Sequence, residues 1–257
     1  MNTEITNAVN AAGDKAQYDA RVKRILAQKN ILAHILVKTV GEFKGMKPED
    51  VVTYIEGEPK VGIVPVEPDK YKLLNRAIFY VSRLVSSQKE RDFVNTNYDD
   101  IKQVFSIWIC MNMDCNSLSH IHLTKDEMLS PHDWKGNMDL LNIVLVGITN
   151  DIPDHEGKYE MHRLIGALLS SELKEQEKLD IIEHEYNIPI SNELREDVRI
   201  MCNLSIGIEE KATEKTSEKF ILNMYKKGYT LDQIADVAET SVEVVEAVIK
   251  KKEPAMA

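Results

Sequence analysis

Residues 73–112 constrain the fold of this chain more tightly than any other stretch. Leu74, Ile78, Val81 and Val85 recur at the spacing of an amphipathic helix over about 71–90, with Arg76, Arg83 and Lys89 elsewhere on it. A polar turn at Tyr98-Asp99-Asp100 leads into 104–111, whose β-branched and aromatic side chains predict a strand. Residues 118–123 and 140–148 are further strand candidates. The second reads Leu-Leu-Asn-Ile-Val-Leu-Val-Gly-Ile, nearly continuous in apolar residues, as a strand covered on both faces would be.

The flanking segments punctuate the chain. Residues 1–16 are small and polar and read as a flexible amino terminus. From Tyr18, the residues Val22, Ile25, Leu26, Ile31, Leu32, Ile35, Leu36 and Val40 keep helical spacing, with Asp19 near the positive end of the dipole. Gly41 and Gly45 loosen the backbone, and Pro48-Glu49-Asp50 opens a short second helix. Residues 56–70 contain Pro59, Pro65 and Pro68, which block a continuous helix and are barred from a central strand. That segment reads as an extended connector with at most one edge strand, Val61 to Val64.

After the loop from Asn150 to Gly157 the pattern becomes helical, over 159–171, 174–186 and 191–204. The polar run Glu209 to Glu218 reads as an exposed helix or linker, and Phe220 to Lys252 as a compact helical tail. The expected class is α/β (α+β): a mixed sheet flanked by helices over 17–150, a helical extension over 158–208 and a helical tail over 209–257.

At 257 residues the chain is long enough for one large domain or two smaller ones. A net charge of −10 opposes broad attraction to nucleic acid, while leaving room for a local basic rim around a metal site. Cys110, Cys115 and Cys202 are odd in number and lack CxxC spacing, so a complete set of internal disulfides is impossible. A reducing cytoplasm is the simplest setting. The start lacks a basic, then apolar, leader, and no apolar run approaches the roughly 20 residues of a membrane helix. The expectation is a soluble cytoplasmic protein without a membrane partner.

Few side chains suggest chemistry. His120 and His122 share a face if their segment is a strand, and Asp114 and Cys115 are close in sequence, so they form a zinc candidate. No second ligand pair completes it, and a solvated strand is the default reading. His155, His162 and His184 suggest no triad, and no P-loop or GxGxxG occurs.

The tail has helix-turn-helix grammar. Gly228 ends one helix, Thr230-Leu231-Asp232-Gln233 forms a capping box, and Ser241 caps the last helix. Ala235 and Val245 take the small and apolar positions, whereas Glu239 stands where glycine is favoured. Residues 230–249 hold Asp232, Asp236, Glu239, Glu243 and Glu246 and no Lys or Arg. Such a surface repels phosphate, and Lys250 to Lys252 offset this only partly. Packing or self-association fits it better than DNA reading.

Several of these segments also carry a resemblance. Tyr18 to Leu26, Tyr54-Ile55-Glu56-Gly57-Glu58-Pro59, the helix from Leu73 to Gln88, Ser106 to Asn112, Glu183 to Pro189 and Met201 to Ser205 are similar to the recombination-promoting nuclease/transposase family of the PD-(D/E)XK superfamily. The resemblance implies a mixed sheet flanked by helices and an ancestral DNA endonuclease. In that family an Asp on one strand and Glu-x-Gln or Glu-x-Lys on the next hold a divalent metal, typically Mg²⁺. The cation activates water and shields charge on the phosphodiester.

Those two strands belong between the Glu-Gly-Glu-Pro stretch and the Asn-Arg-Ala-Ile-Phe-Tyr helix. Here only residues 59–72 occupy that interval, too few for two strands of about 5–6 residues and a turn. Glu58-Pro59-Lys60 spells Glu-x-Lys, but its proline defeats a central strand. Glu67 is the other acidic candidate, without an Asp partner nearby. The expectation is therefore a reduced nuclease-like scaffold that has lost its metal-binding hairpin, binds no Mg²⁺ and cleaves little or no DNA. It would associate as a homo-oligomer or with a paralogue. Two alternatives stand beside it: an active Mg²⁺-dependent endonuclease with non-standard carboxylates, and a regulatory module that pairs with an intact paralogue.

Overall fold

The computed structural model describes residues 3–57, 59, 61, 72–89, 91–94 and 97–252, the side chains of 3–12, 209–212 and 252 excepted. The predicted edge strand Val61 to Val64 and the candidates Glu58, Lys60 and Glu67 lie outside the described residues, Val61 alone excepted. Two compact units divide the chain, Arg21–Arg199 and a second made of Met1–Ala20 with Ile200–Ala257.

Among the described residues three strands form one sheet. They are β1 (Val104–Cys110), β2 (Ser117–His122) and β3 (Leu141–Gly147), in the order β1-β3-β2. β3 runs parallel to β1, with Val104 opposite Leu141, and antiparallel to β2, with Ser117 opposite Gly147. The most continuously apolar strand thus takes the centre, where both faces are covered; Ile143, Val144 and Val146 are buried. Asn112, with φ 58°, turns the chain away from β1. At the same end Gly147, opposite Cys110, has no room for a side chain, because a Cβ there would collide with the Ser117 hydroxyl.

Helix α1 (Thr3–Leu26) begins well before Tyr18, so the predicted flexible start over 1–16 is helical from Thr3. Ala8, Ala11, Ala12, Ala16 and Ala20 account for this, since alanine is the strongest helix former and needs no apolar stripe. The single helix predicted through Val40 is broken at residues 27–28, and α2 (Lys29–Thr39) restarts beyond Gln28, whose ψ is 126°. A short α3 (Pro48–Val52) opens on its proline, as predicted.

α4 (Leu73–Ser86) packs on β1 and β3. Its covered stripe is Ala77 and Val81, against Val104, Trp108, Ile143 and their neighbours. Leu74 and Ile78, expected on that stripe, are 42% and 43% exposed. The small Ala77 side chain is fully buried against the sheet beside Val81. Gln88 then fastens helix to strand. Its Nε2 donates to the Lys102 carbonyl and its Oε1 accepts from the Lys102 N–H, both at 2.8 Å. This buried amide satisfies both backbone groups just before β1.

No unit boundary falls near residue 150. α5 (Glu160–Leu169) is buried almost all round, and a Cβ on Gly166 would meet Ile148 and Ile152 in ordinary contact. α6 (Glu175–Asp180) runs into a π-turn, Ile181–Glu185, ended by Asn187 at φ 53°. The buried Lys178 ammonium donates to the carbonyls of Leu168 and Ser170, neutralising the negative end of α5. Asp197 is also buried, paired with Arg21 at 2.8 Å and Arg24 at 3.1 Å.

The predicted helix over 191–204, polar run and following helix are one element, α7 (Asn192–Lys226), because Glu, Lys and Ala sustain helix without an apolar face. In the second unit α8 (Leu231–Val237) and α9 (Val242–Lys252) close on the end of α7 around Ile221, Ile234, Ala235 and Val245.

Candidate functional site

Strand alternation divides the sheet side chains. Leu141, Ile143 and Leu145 face α4, so Asn142, Val144 and Val146 face the other way. Together with Phe105, Leu118, His120 and His122 on the flanking strands, Asn142 and Val144 form the floor of a cleft of about 820 Å³. Its rim is the end of α2 and the following turn, from Val37 to Gly45, with Lys38, Glu42 and Lys44 supplying charge.

Asn142 organises the floor. It is a polar residue in the middle of the sheet, 1% exposed. Its Nδ2 donates to the Asp139 carbonyl at 2.8 Å, which fixes the amide and points Oδ1 at His120 Nε2, also 2.8 Å away. A carboxamide oxygen only accepts, so His120 carries its proton on Nε2 and, when neutral, a lone pair on Nδ1. The His120 and His122 rings stack with centroids 4.9 Å apart and planes 16° from parallel. Phe105 lies parallel to His120 at 6.5 Å.

The structure thus brings the two histidines together on one strand face. Asp114 and Cys115 lie beyond the opposite end of β2. Cys115 is exposed, and the neighbouring Asp114 charge raises its thiol pKa, which disfavours the thiolate a metal requires. Among the described residues no three His, Cys, Asp or Glu side chains come together as a cation site.

A second polar cluster adjoins the cleft through Lys38, which pairs with Glu160 at 2.7 Å. Arg163 on α5 grips Glu185 with two hydrogen bonds, Nε to Oε2 at 2.6 Å and Nη2 to Oε1 at 2.7 Å, and donates to the Pro153 carbonyl at 2.9 Å. Those bonds from Arg163 lower the Glu185 pKa from its ordinary value. Tyr186 donates its hydroxyl to the Glu160 carbonyl at 2.6 Å, and burial raises its pKa. His34 meets the Tyr186 ring edge-on at 5.4 Å, and burial lowers its pKa. His155 Nδ1 is 3.6 Å from Glu185.

Glu185 is thus held charged, and Tyr186 and His34 neutral. No member is a nucleophile touching a base, and the cluster works as a polar clamp between α5 and the π-turn. Sequence reading missed it because Arg163 and Glu185 are 22 positions apart. It also passed over Asn142, although an amide inside an apolar run was a visible signal. His162 and His184 stand apart from this cluster, on the Ser117 and Asp180 carbonyls.

No family model, curated protein or solved structure matches this chain. No helix among the described residues is long and apolar enough to cross a membrane.

Proposed function

We propose that this chain is a divergent member of the recombination-promoting nuclease/transposase family that keeps the helix-on-strand half of the scaffold and acts by association rather than DNA cleavage. The observation that carries the reading is the α4–β1 pair. The amphipathic helix lies on a mixed sheet, and Gln88 locks its end to the start of the strand. Loss of cleavage is argued from the sequence alone: residues 59–72 leave too little chain for the metal-binding strands.

Pairing with an intact paralogue is favoured as a second reading by the acidic tail. A surface rich in Asp and Glu with exposed valines suits a protein partner better than a phosphate backbone. Plasmid nicking in Mg²⁺ or Mn²⁺ tests the main reading. The expected result is intact supercoiled DNA. Nicking that chelation abolishes would establish instead an endonuclease with non-standard carboxylates.

A further inference from the structure

Between residues 70 and 89 the sequence holds Lys70, Lys72, Arg76, Arg83 and Lys89 and no acidic residue, in a chain of net charge −10. Most of this stretch is α4, which turns only Ala77 and Val81 fully into the core. Leu74, Ile78, Phe79, Tyr80 and Leu84 stay between 40% and 60% exposed. So many large apolar side chains on one short helix exceed the scattered hydrophobes of an ordinary surface. The Arg83 guanidinium sits 5.9 Å from the Phe79 ring centre, keeping its charge on that surface.

The tail offers the complement. Asp232, Asp236, Glu239 and Glu243 are exposed, and among the described residues none of them joins an ion pair. Val237 and Val244 beside them are 57% and 48% exposed.

We infer that the exposed surface of α4 docks the α8–α9 tail of a second copy of this chain. Each such contact would cover an apolar set and match opposite charges. Duplex DNA would attract the Arg83 and Lys89 charges but has no apolar counterpart for Leu74, Ile78 and Leu84, whereas the tail supplies both. The inference deepens the association reading above by naming the surfaces, and it holds whether or not the chain cleaves DNA.

Sedimentation velocity of the full chain over a wide concentration range, at low and high salt, tests it. The expected result is a dimer that weakens as salt rises. Arg83→Glu with Lys89→Glu should weaken it by about ten-fold or more, as should Asp236→Lys with Glu243→Lys. Combining the two sets should restore it. All four positions are exposed, and circular dichroism checks folding; should one set misfold, the other decides. A monomer at every concentration, a dimer indifferent to both sets, or no rescue by the combination would overturn the inference. So would salt-sensitive binding of duplex oligonucleotide that Arg83→Glu with Lys89→Glu abolishes while dimerisation persists. Nicking measured on the same preparations reports on cleavage separately, so the two ideas fail independently.

Discussion

Asn142 does two jobs with one buried amide: it orients His120 and ties the strand to the Asp139 carbonyl. Replacing it with leucine would remove both hydrogen bonds and leave the His120 N–H and that carbonyl to solvent. Asn142→Leu is expected to cost about 1 kcal/mol in urea unfolding. It should also release the His120 tautomer, visible as a changed imidazole ¹⁵N pattern.

Glu185 makes a pH prediction. Its folded pKa lies below the ordinary carboxylate value of 4.5 because Arg163 bonds to the charged form. Its stabilisation is therefore present above about pH 4.5 and is lost as pH falls through the folded value. Glu185→Gln should cost about 2 kcal/mol at pH 7. The gap to the parent protein should narrow in unfolding curves taken at successively lower pH below about 4.5. His34 acts in a higher window: burial lowers its pKa below 6.5, so acidification from there already draws on stability.

Among the elements, the tail shows how local rules and packing agree. Thr230 and Gln233 form the predicted capping box, and Gly228, at φ 87°, ends α7. Ala235 and Val245 meet in the core where helix-turn-helix spacing places them. Glu239 departs from glycine, yet the turn still demands a left-handed backbone, and its φ is 50°. A residue with a Cβ is strained there, so Glu239→Gly should stabilise the tail by about 1 kcal/mol. Thermal melts of the full chain followed by far-ultraviolet circular dichroism would show the gain.

α4 teaches the opposite lesson. Periodicity made it a helix and assigned a buried face of Leu74, Ile78, Val81 and Val85. The sheet selected Ala77 and Val81 instead. A helix with apolar residues on several sides has no unique rotation in its own sequence, and the partner surface settles which stripe is covered.

At the scale of the molecule, the two units carry separate cores, and both tryptophans, Trp108 and Trp134, lie in the Arg21–Arg199 unit. Tryptophan fluorescence therefore reports one unit alone. Val245→Asp places an unpaired charge in the tail core. It should lower the melting transition seen by circular dichroism and leave the fluorescence transition in place. A common shift of both transitions would show that the units unfold as one.

The sequence by itself determined most of the elements: the strands at β1, β2 and β3, the helices on either side, the cap at Thr230 and the stop at Gly228. These follow from periodicity, propensity and backbone chemistry within a few neighbouring residues. Tertiary structure alone decided the strand order with β3 in the middle, the rotation of α4, and the inclusion of α5 and α6 in the sheet's unit. It alone also joined His120 to Asn142 and Arg163 to Glu185. Those pairings span about 20 residues or more, and no local rule reaches that far; they exist because folding closes the intervening loops and buries polar groups that must then find partners.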